Sequence, residues 1–284
     1  MKRIVLIDAD IDLYQISQQN QLEVQWDENT ITMTSNLANA KTVFDETVAG
    51  IVKKVEADEY ILCMTGDNNF RKTAFPDYKS NRKDTRKPMG YKELKAYAME
   101  NHPHKIYDNM EADDVMGIMS TKKAPSGVEY VIHSDDKDLK TIPGLIWDRF
   151  SKKVIKISEL EANRFLYTQI LTGDVTDGYK GCPSIGKKKA LKALAPCTTE
   201  FEMREAVYAL YRKEYKDEGN AMKEMIKQAG QARILRSTDY DFKNKAVIIW
   251  HPWRNSGNIE ARSEVQESAG TTNSGDSISS PDKQ

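Results

Sequence analysis

Three short apolar runs constrain the fold of this chain most strongly, because each has the length and composition of a buried β-strand. The runs lie at residues 4–7 (IVLI), 60–64 (YILCM) and 128–132 (VEYVI). Longer stretches with helical character separate them, among them residues 37–56 and 91–100. Strands that alternate with helices predict an α/β fold with a mostly parallel central sheet flanked by helices.

Acidic residues follow each predicted strand. Asp8 ends the first run, Asp67 follows the second, and Asp135, Asp136 and Asp138 crowd the segment after the third. In open parallel sheets, ligands bind outside the carboxyl ends of the strands, so we expect these carboxylates to gather at one edge of the sheet. Carboxylates so close together repel one another and stay ionised only beside a counter-charge. The sequence therefore implies a cationic partner at this edge.

Two further acidic segments extend the set. EADDVMGIM places Glu111, Asp113 and Asp114 at a predicted helix start, where the helix dipole favours negative charge. GDVTDG adds Asp174 and Asp177, which would share a face if the segment were helical. Taken alone, the first segment could simply cap a helix and the second could be a turn.

The acidic segments together predict a site for hard metal ions. Oxygen donors dominate, because the chain has 4 His and its 3 Cys form no CxxC pair. Oxygen ligands select Mg²⁺ or Mn²⁺ rather than zinc, and two such ions can activate a water and stabilise the leaving oxygen of a phosphodiester. A calcium-binding or merely solvated acidic surface is the alternative, although the EF-hand spacing is lacking.

Two basic segments accompany the acids within a nearly neutral chain of 42 Lys plus Arg and 43 Asp plus Glu. The segment 71–95 carries nine basic and three acidic residues, and 180–192 carries five basic residues and no acidic one. In the first, aromatic residues lie between the cations, in the order Phe70, Arg71, Lys72, Phe75, Tyr78, Lys79, Arg82, Lys83. Cations that pair with phosphates and rings that stack on bases are typical of single-strand binding. Alternatively, the rings are core residues and the cations face solvent.

The second basic segment begins with a glycine hairpin, GCPSIGKKKALKAL. Gly181 and Gly186 would let the backbone approach a phosphate closely, and Lys187, Lys188 and Lys189 add charge at the start of the next helix. The pattern predicts a helix-hairpin-helix contact with a DNA backbone. Its position a few residues after the acidic pair of GDVTDG strengthens the prediction.

Composition excludes several classes of protein. The 39% apolar and 30% charged content is typical of a soluble globular protein, and no apolar run approaches the roughly 18 residues of a membrane span. MKRIVLIDAD has too short an apolar run for a secretory signal, and the cysteine pattern fits a reducing cytoplasm. Residues 254–284 contain seven serines and almost no large apolar residue, which predicts a disordered tail.

Five segments in order resemble a known family: LIDAD, TGDNNFRK with YKSNR, EADDVMG, SDDKDL, and GDVTDGYKGCPSIGKKKA. They are similar to the flap endonuclease and 5′→3′ exonuclease family, which includes the 5′ nuclease domain of bacterial DNA polymerase I. The resemblance covers roughly residues 1–250. QARILRSTDYDF and IIWHPW add a likeness to the exonucleases of short-tailed phages.

The resemblance implies roles for particular residues. The carboxylates would hold two Mg²⁺ ions, replaceable by Mn²⁺: Asp8, Asp67, Glu111 and Asp113 the first, Asp136, Asp138, Asp174 and Asp177 the second, with Asp114 as an additional family acid. The catalytic cations would be Lys79, Arg82 and Arg71, with Tyr78 stacking on the terminal base. The DNA contacts would be Lys72, Lys83, Gly181, Gly186, Lys187, Lys188 and Lys189, with a K⁺ ion at the hairpin.

The resemblance also implies an organisation and an activity. A PIN-like 5′ nuclease core would span 1–170 with a helical arch over about 70–110, followed by a helix-three-turn-helix part at 171–253 and the tail at 254–284. We expect a monomeric, cytoplasmic, metal-dependent 5′→3′ exodeoxyribonuclease that acts on duplex ends, nicks and gaps. Removal of RNA primers from RNA-DNA hybrids would suit phage DNA replication, recombination and host DNA degradation.

Three alternatives remain open at this point. The chain could be a structure-specific flap endonuclease, or an inactive DNA-binding scaffold of the same fold. DADID at 8–12 also resembles the start of a phosphatase with an aspartyl nucleophile. Two departures from the family pattern, Gly178 in place of the usual Asn and KKKA at the hairpin, bear on the DNA contact and leave the metal ligands in place.

Overall fold

The computed structural model describes residues 1–82 and 86–254, so Lys83 and the predicted tail beyond residue 254 lie outside the described residues. All the elements below belong to one compact unit, Met1–Pro252. The strands are β1 Lys2–Asp8, β2 Gln21–Gln25, β3 Ile31–Ser35, β4 Glu59–Cys63, β5 His104–Lys105, β6 Val128–His133, β7 Gly144–Asp148, β8 Lys153–Ile157, β9 Tyr240–Asp241 and β10 Ala246–Val247. The helices are α1 Ala9–Gln19, α2 Leu37–Val55, α3 Phe70–Ala74, α4 Tyr91–Asn101, α5 Ala112–Thr121, α6 Glu159–Thr172, α7 Lys187–Leu194, α8 Glu200–Tyr215 and α9 Glu218–Ala232.

The central sheet has the order β5-β4-β1-β6-β7-β8, and the strands are parallel except for β8, which is antiparallel to β7. All three predicted strands are present as β1, β4 and β6. They are adjacent in the sheet, with Asp8 paired to Cys63 and Ile7 to His133. Their carboxyl ends are therefore level, as the prediction of a shared acidic edge required.

Both faces of the sheet are covered, which explains why the central strands are almost continuously apolar. Val5 and Ile7 of β1 face one side, where they pack in a cluster with Phe44 of α2. Leu6 faces the other side and packs with Val115 of α5. This alternation follows from the two-residue period of a strand. Each fully buried side chain of this size contributes about 1.5–3 kcal/mol to folding.

Several elements depart from the sequence prediction. The run AVIIW forms only the short strand β10, which pairs with β9 outside the central sheet. GDVTDG is a turn closed by a bridge between Asp174 and Tyr179, so the helical alternative for this segment is wrong. The hairpin of β2 and β3 was not predicted. None of the described helices is long and apolar enough to cross a membrane.

The region predicted as an arch, about 70–110, is only partly described. Its helix α4 buries Leu94 and Ala98 in the main core beside α1 and α2. Arg82 ends a short 3₁₀ helix, and residues 83–85, which include Lys83, are outside the description. The division of the chain at 170 and 254 and the arch itself stay predictions.

Candidate active site

An acidic cleft lies at the carboxyl edge of the sheet. It is lined by Arg71, Tyr78, Glu111, Asp113, Asp136, Asp138, Asp177, Tyr179, Gln231, Ala232 and Ile234. The predicted acids among them come from three separate segments, those after β6, at the start of α5 and in GDVTDG. The sheet thus brings together carboxylates that are far apart in the sequence.

Asp8 and Asp113 carry strongly disfavoured charges. Asp8 is 5% exposed and accepts a hydrogen bond of 2.7 Å from Ser134 Oγ. Burial raises the pKa of Asp8, and the charges of Asp10, Asp12 and Asp136 add to the effect. Burial likewise raises the pKa of Asp113 well above its usual value, with Asp8 and Asp136 contributing repulsion. A cation placed between these carboxylates would stabilise their ionised forms.

The segment after β6 turns its carboxylates in different directions. Asp138 lines the cleft and accepts a hydrogen bond of 2.7 Å from Gln169 Nε2. Burial, followed by repulsion from Asp136, raises the pKa of Asp138 to about 7. Asp135 instead pairs with Arg149 at 3.7 Å, and both side chains are more than half exposed. Of this crowded group, Asp136 and Asp138 therefore belong to the cleft.

Glu111 is held by three donors. Lys79 Nζ lies 2.6 Å from Oε1, and Oε2 accepts from the Tyr78 hydroxyl at 2.8 Å and from Arg71 Nη1 at 3.4 Å. Although burial acts to raise it, the pKa of Glu111 falls to about 2 because Lys79 and Arg71 favour its charge. Lys79 also lies 3.6 Å from Asp177 Oδ1. Lys79 is thus fixed in the cleft by two predicted metal ligands.

Asp114 and Arg71 form a buried ion pair beneath the cleft. Arg71 donates to both Asp114 oxygens, at 2.6 and 2.7 Å, and also to the carbonyl of Arg233. The exposed fractions of the two side chains are 2% and 0%. Asp114 further accepts from Leu235 N at 2.9 Å. These contacts correct two predictions: Asp114 holds Arg71 rather than a metal, and Arg71 positions the site rather than reaching a phosphate.

A second lysine, Lys137, pairs with Asp174. Lys137 Nζ lies 3.0 Å from Asp174 Oδ2 and 4.0 Å from Asp138 Oδ1, with 68% of its side chain exposed. Although partial burial acts to raise it, the pKa of Asp174 is lowered by the hydrogen bond from Lys137. No role for Lys137 was predicted from the sequence, although its position between Asp136 and Asp138 in SDDKDL indicates a cation close to these carboxylates.

The positions of Asp67 and Tyr78 do not match their predicted roles. Asp67 is exposed in the loop after β4 and does not line the cleft. Tyr78 is 4% exposed, and its hydroxyl also reaches Asp177 Oδ2 at 3.3 Å. In this conformation its ring is not available for stacking on a base. Phe75 is buried too, at 9% exposure. The alternative is therefore right that these two rings are core residues but wrong that all the cations face solvent, because Arg71 and Lys79 are buried against carboxylates.

The glycine hairpin connects α6 to α7. Lys187, Lys188 and Lys189 form the exposed first turn of α7, and Gly186 precedes that helix. Gly181 has a φ of +70°, and a Cβ there would lie 2.3 Å from the Gly173 backbone nitrogen. Gly181 is therefore required for close packing of the turn rather than for approach to a phosphate. Lys72 is exposed on α3, and the side chain of Arg82 lies outside the described part.

The donor set fits a hard divalent cation. Among the described residues, no three acidic, histidine or cysteine side chains form a ready-made metal cluster, and Lys79 and Lys137 pair with Glu111 and Asp174. Asp8, Asp113 and Asp138 carry raised pKa values, and the predicted ligands offer only oxygen donors. Oxygen ligands and uncompensated negative charge are what Mg²⁺ and Mn²⁺ require.

Two buried glutamines were missed by the sequence analysis. Gln169 lies in α6 and donates to Asp138, whereas Gln231 lies at the end of α9 and lines the cleft. Gln169 belongs to a helical stretch without a motif, whereas Gln231 is the first residue of QARILRSTDYDF, a segment noted for its resemblance but given no role in the site. Their roles depend on which helix faces the carboxyl edge of the sheet.

Comparison with known proteins gives a consistent result. The family model for the 5′-3′ exonuclease N-terminal resolvase-like domain matches residues 3–162. The exonuclease of Escherichia phage T7 is 28% identical over 283 residues, covering 88% of this chain and 94% of that protein. Flap endonuclease Xni of Shewanella pealeana is 34% identical over 137 residues, covering 44% of this chain and 54% of that protein. The structure of T5 5′-exonuclease with bound divalent zinc ions superposes with a TM-score of 0.54 at 15% identity, covering 81% of this chain and 93% of that chain.

Proposed function

Since the chain belongs to the 5′-3′ exonuclease family, and is therefore a nuclease that hydrolyses phosphodiester bonds, we propose that it is a divalent-metal-dependent 5′→3′ exodeoxyribonuclease. Its substrates are duplex DNA ends, nicks and gaps, and RNA in RNA-DNA hybrids. Mg²⁺ is the proposed ion, with Mn²⁺ as a substitute and K⁺ at the hairpin. The proposal also has it act as a monomer on DNA in the host-cell cytoplasm.

One observation supports this proposal above the others: the acidic cleft carries a fixed lysine. Lys79 is 13% exposed and lies among carboxylates that would otherwise exclude a phosphate. An ammonium group held there can pair with one oxygen of the scissile phosphate. An inactive scaffold would have no need for so many buried carboxylates with raised pKa values, and an aspartyl phosphatase would have no need for the basic hairpin.

The residues that would hold the ions are the carboxylates of the cleft and its margin. Asp8, Glu111 and Asp113 would hold one ion, with Asp67 joining from its exposed loop, and Asp136, Asp138, Asp174 and Asp177 would hold the other. When bound, such ions lower the pKa of a water and offset charge on the leaving oxygen.

The protein's own contribution is positioning. Tyr78 orients Glu111 through its hydroxyl, and Gln169 orients Asp138 through its amide. If Glu111 were to hold an ion, Lys79 would give up its pairing with Glu111, and its ammonium would be available to the substrate phosphate. The exposed first turn of α7 would hold the duplex backbone through free N–H groups and Lys187, Lys188 and Lys189.

The decisive experiment uses one nicked duplex labelled at the 5′ or the 3′ end, with Mg²⁺ or with EDTA. Release of mononucleotides or very short fragments from the 5′ label, abolished by EDTA, is the expected result. Cleavage that persists in EDTA contradicts the metal requirement. A strand of RNA in place of DNA tests the hybrid substrate.

A flap endonuclease is the second candidate. The Xni relatives support it, among them one that is 30% identical over 200 residues and matches 66% of this chain. A single cut at a strand junction, rather than stepwise release from the 5′ label, would establish this activity in the same assay.

A further inference from the structure

Gln231 has an unusual environment for a buried side chain. It is 3% exposed and lines the acidic cleft, yet neither its Oε1 nor its Nε2 has a hydrogen-bond partner among the described residues. Buried amides are almost always hydrogen-bonded, and each unpaired polar group costs about 1–3 kcal/mol. A buried amide without partners in the wall of a charged cleft indicates a ligand at that place.

The backbone around Gln231 is fixed by its neighbours. The carbonyl of Arg233 accepts a hydrogen bond from Arg71. Gly230 lies against the ring of Phe75, so closely that a Cβ at this position would be 2.4 Å from Cζ. The end of α9 is therefore held against α3 on both sides of Gln231, and its amide cannot find a partner by moving into solvent.

Among the described residues, no donor reaches the amide oxygen of Gln231, and Arg71 Nε in the same lining is likewise buried without a partner. The hydroxyl of Tyr78 and the ammonium of Lys79 already point at Glu111 and Asp177. The other polar groups of the lining are mainly carboxylates, which accept hydrogen bonds when ionised and do not donate them. Phosphate oxygens also only accept. The ligand at Oε1 must therefore donate, and water is the simplest such group.

We propose that the amide of Gln231 hydrogen-bonds the water shell of the divalent ion in this cleft, with Oε1 accepting from a water and Nε2 donating to the same layer. This inference rests on the proposed function, because it requires an ion in the cleft. The part of the cleft that a water centre can occupy measures about 20 Å³, which is room for about one water beside Gln231 at about 10–15 Å³ each. Gln231 thereby fixes the position of the hydrated ion without ligating it directly.

The test compares two buried glutamines of the same helix. Gln231→Met keeps the shape of the side chain and removes both polar atoms. Gln228→Met is the matched control, because Gln228 is also 3% exposed but is fully bonded, accepting from Gly181 N at 2.8 Å and donating to Glu224 at 2.6 Å. Binding of Mn²⁺ is measured without DNA from the electron paramagnetic resonance signal of the free ion, and thermal unfolding is followed with EDTA and with Mn²⁺.

We expect Gln231→Met to weaken Mn²⁺ binding by about 5–30-fold, the equivalent of losing two ordinary hydrogen bonds of about 0.5–1 kcal/mol each. Its unfolding temperature in EDTA stays at or above that of the wild type, because no internal bond is lost. Gln228→Met shows the reverse pattern, with a lower unfolding temperature in EDTA and unchanged Mn²⁺ affinity. Gln231→Glu, which keeps an acceptor oxygen and adds negative charge, retains or strengthens Mn²⁺ binding.

Wild-type Mn²⁺ affinity in Gln231→Met would overturn the inference. If that unchanged affinity came with a loss of stability in EDTA, the amide would be assigned to a structural water shared with Arg71, whose Nε is also without a partner. If the wild type itself binds no Mn²⁺ and cuts no DNA, the proposed function fails as well.

Discussion

The buried pair of Arg71 and Asp114 gives the most quantitative prediction. Asp114→Asn keeps the shape of the side chain but removes its charge, and its new NH₂ group would face one of the guanidinium donors that lie 2.6 and 2.7 Å from the carboxylate oxygens. Both side chains are almost fully inaccessible to water. The remaining positive charge would be buried with the carbonyl of Arg233 and one weaker charged partner, Glu111 at 3.4 Å.

Breaking a buried ion pair on one side costs about 3–5 kcal/mol, because the other charge is left uncompensated. We therefore expect Asp114→Asn to lower the free energy of unfolding by about 3 kcal/mol or more, which is a large part of the roughly 5–15 kcal/mol of a typical domain. Urea unfolding followed by circular dichroism measures the change.

A double-mutant cycle checks the cause. The cycle compares Arg71→Met and Asp114→Leu, made singly, with the double variant that removes both charges. The double variant should lose less stability than the sum of the two single losses, by about 1 kcal/mol or more. An Asp114→Asn loss below about 1 kcal/mol, or single losses that simply add, would refute the argument that this pair is electrostatically coupled.

Four further predictions follow from the same structure. Lys79→Ala lowers kcat by about 10²–10³-fold, with a smaller effect on DNA affinity, as measured by single-turnover cleavage. Equal losses in kcat and in DNA affinity would instead indicate that Lys79 only binds the substrate. Because the pKa of Asp138 is raised to about 7, the ion-free protein loses stability as pH rises from about 4 to 7, and Mg²⁺ binding strengthens over the same range. Unfolding measured at several pH values in EDTA tests the first effect, and the same measurement in Mg²⁺ tests the second. Gly181→Ala destabilises the protein by about 1–3 kcal/mol because of its left-handed backbone and crowded surroundings, whereas Gly186→Ala, with open space around its Cα, changes stability by less than about 0.5 kcal/mol. Neutralising Lys187–Lys189 reduces the slope of log affinity for duplex DNA against log salt by up to about 2.7, and an unchanged slope would place the duplex elsewhere.

Much of the fold was accessible from the sequence, because its determinants are local. The runs at 4–7, 60–64 and 128–132 are apolar enough to be strands with both faces buried, and the helices at 37–56 and 91–100 carry their own periodicity. Strands β5, β7, β8 and β9 and the β2–β3 hairpin were missed, since short strands carry weak patterns and their pairing depends on context.

The acidic character of the cleft could also be predicted, because the carboxyl ends of parallel strands meet at one edge. The separate role of each acid could not be predicted. Asp113 and Asp114 are neighbours in the sequence, yet one faces the cleft and the other holds Arg71. One residue along a helix turns the side chain by about 100°, so adjacent carboxylates enter different environments.

The sequence by itself determined the strands, the acidic edge, the basic hairpin and the family to which the chain belongs. Only the tertiary structure decided which charges compensate one another: Lys79 for Glu111, Arg71 for Asp114, Lys137 for Asp174. It also decided that Gln231 enters the cleft. Charge pairing and burial depend on the distances in space between segments that are tens of residues apart in the sequence. A local sequence pattern shows which chemical groups are present, but it does not give those distances.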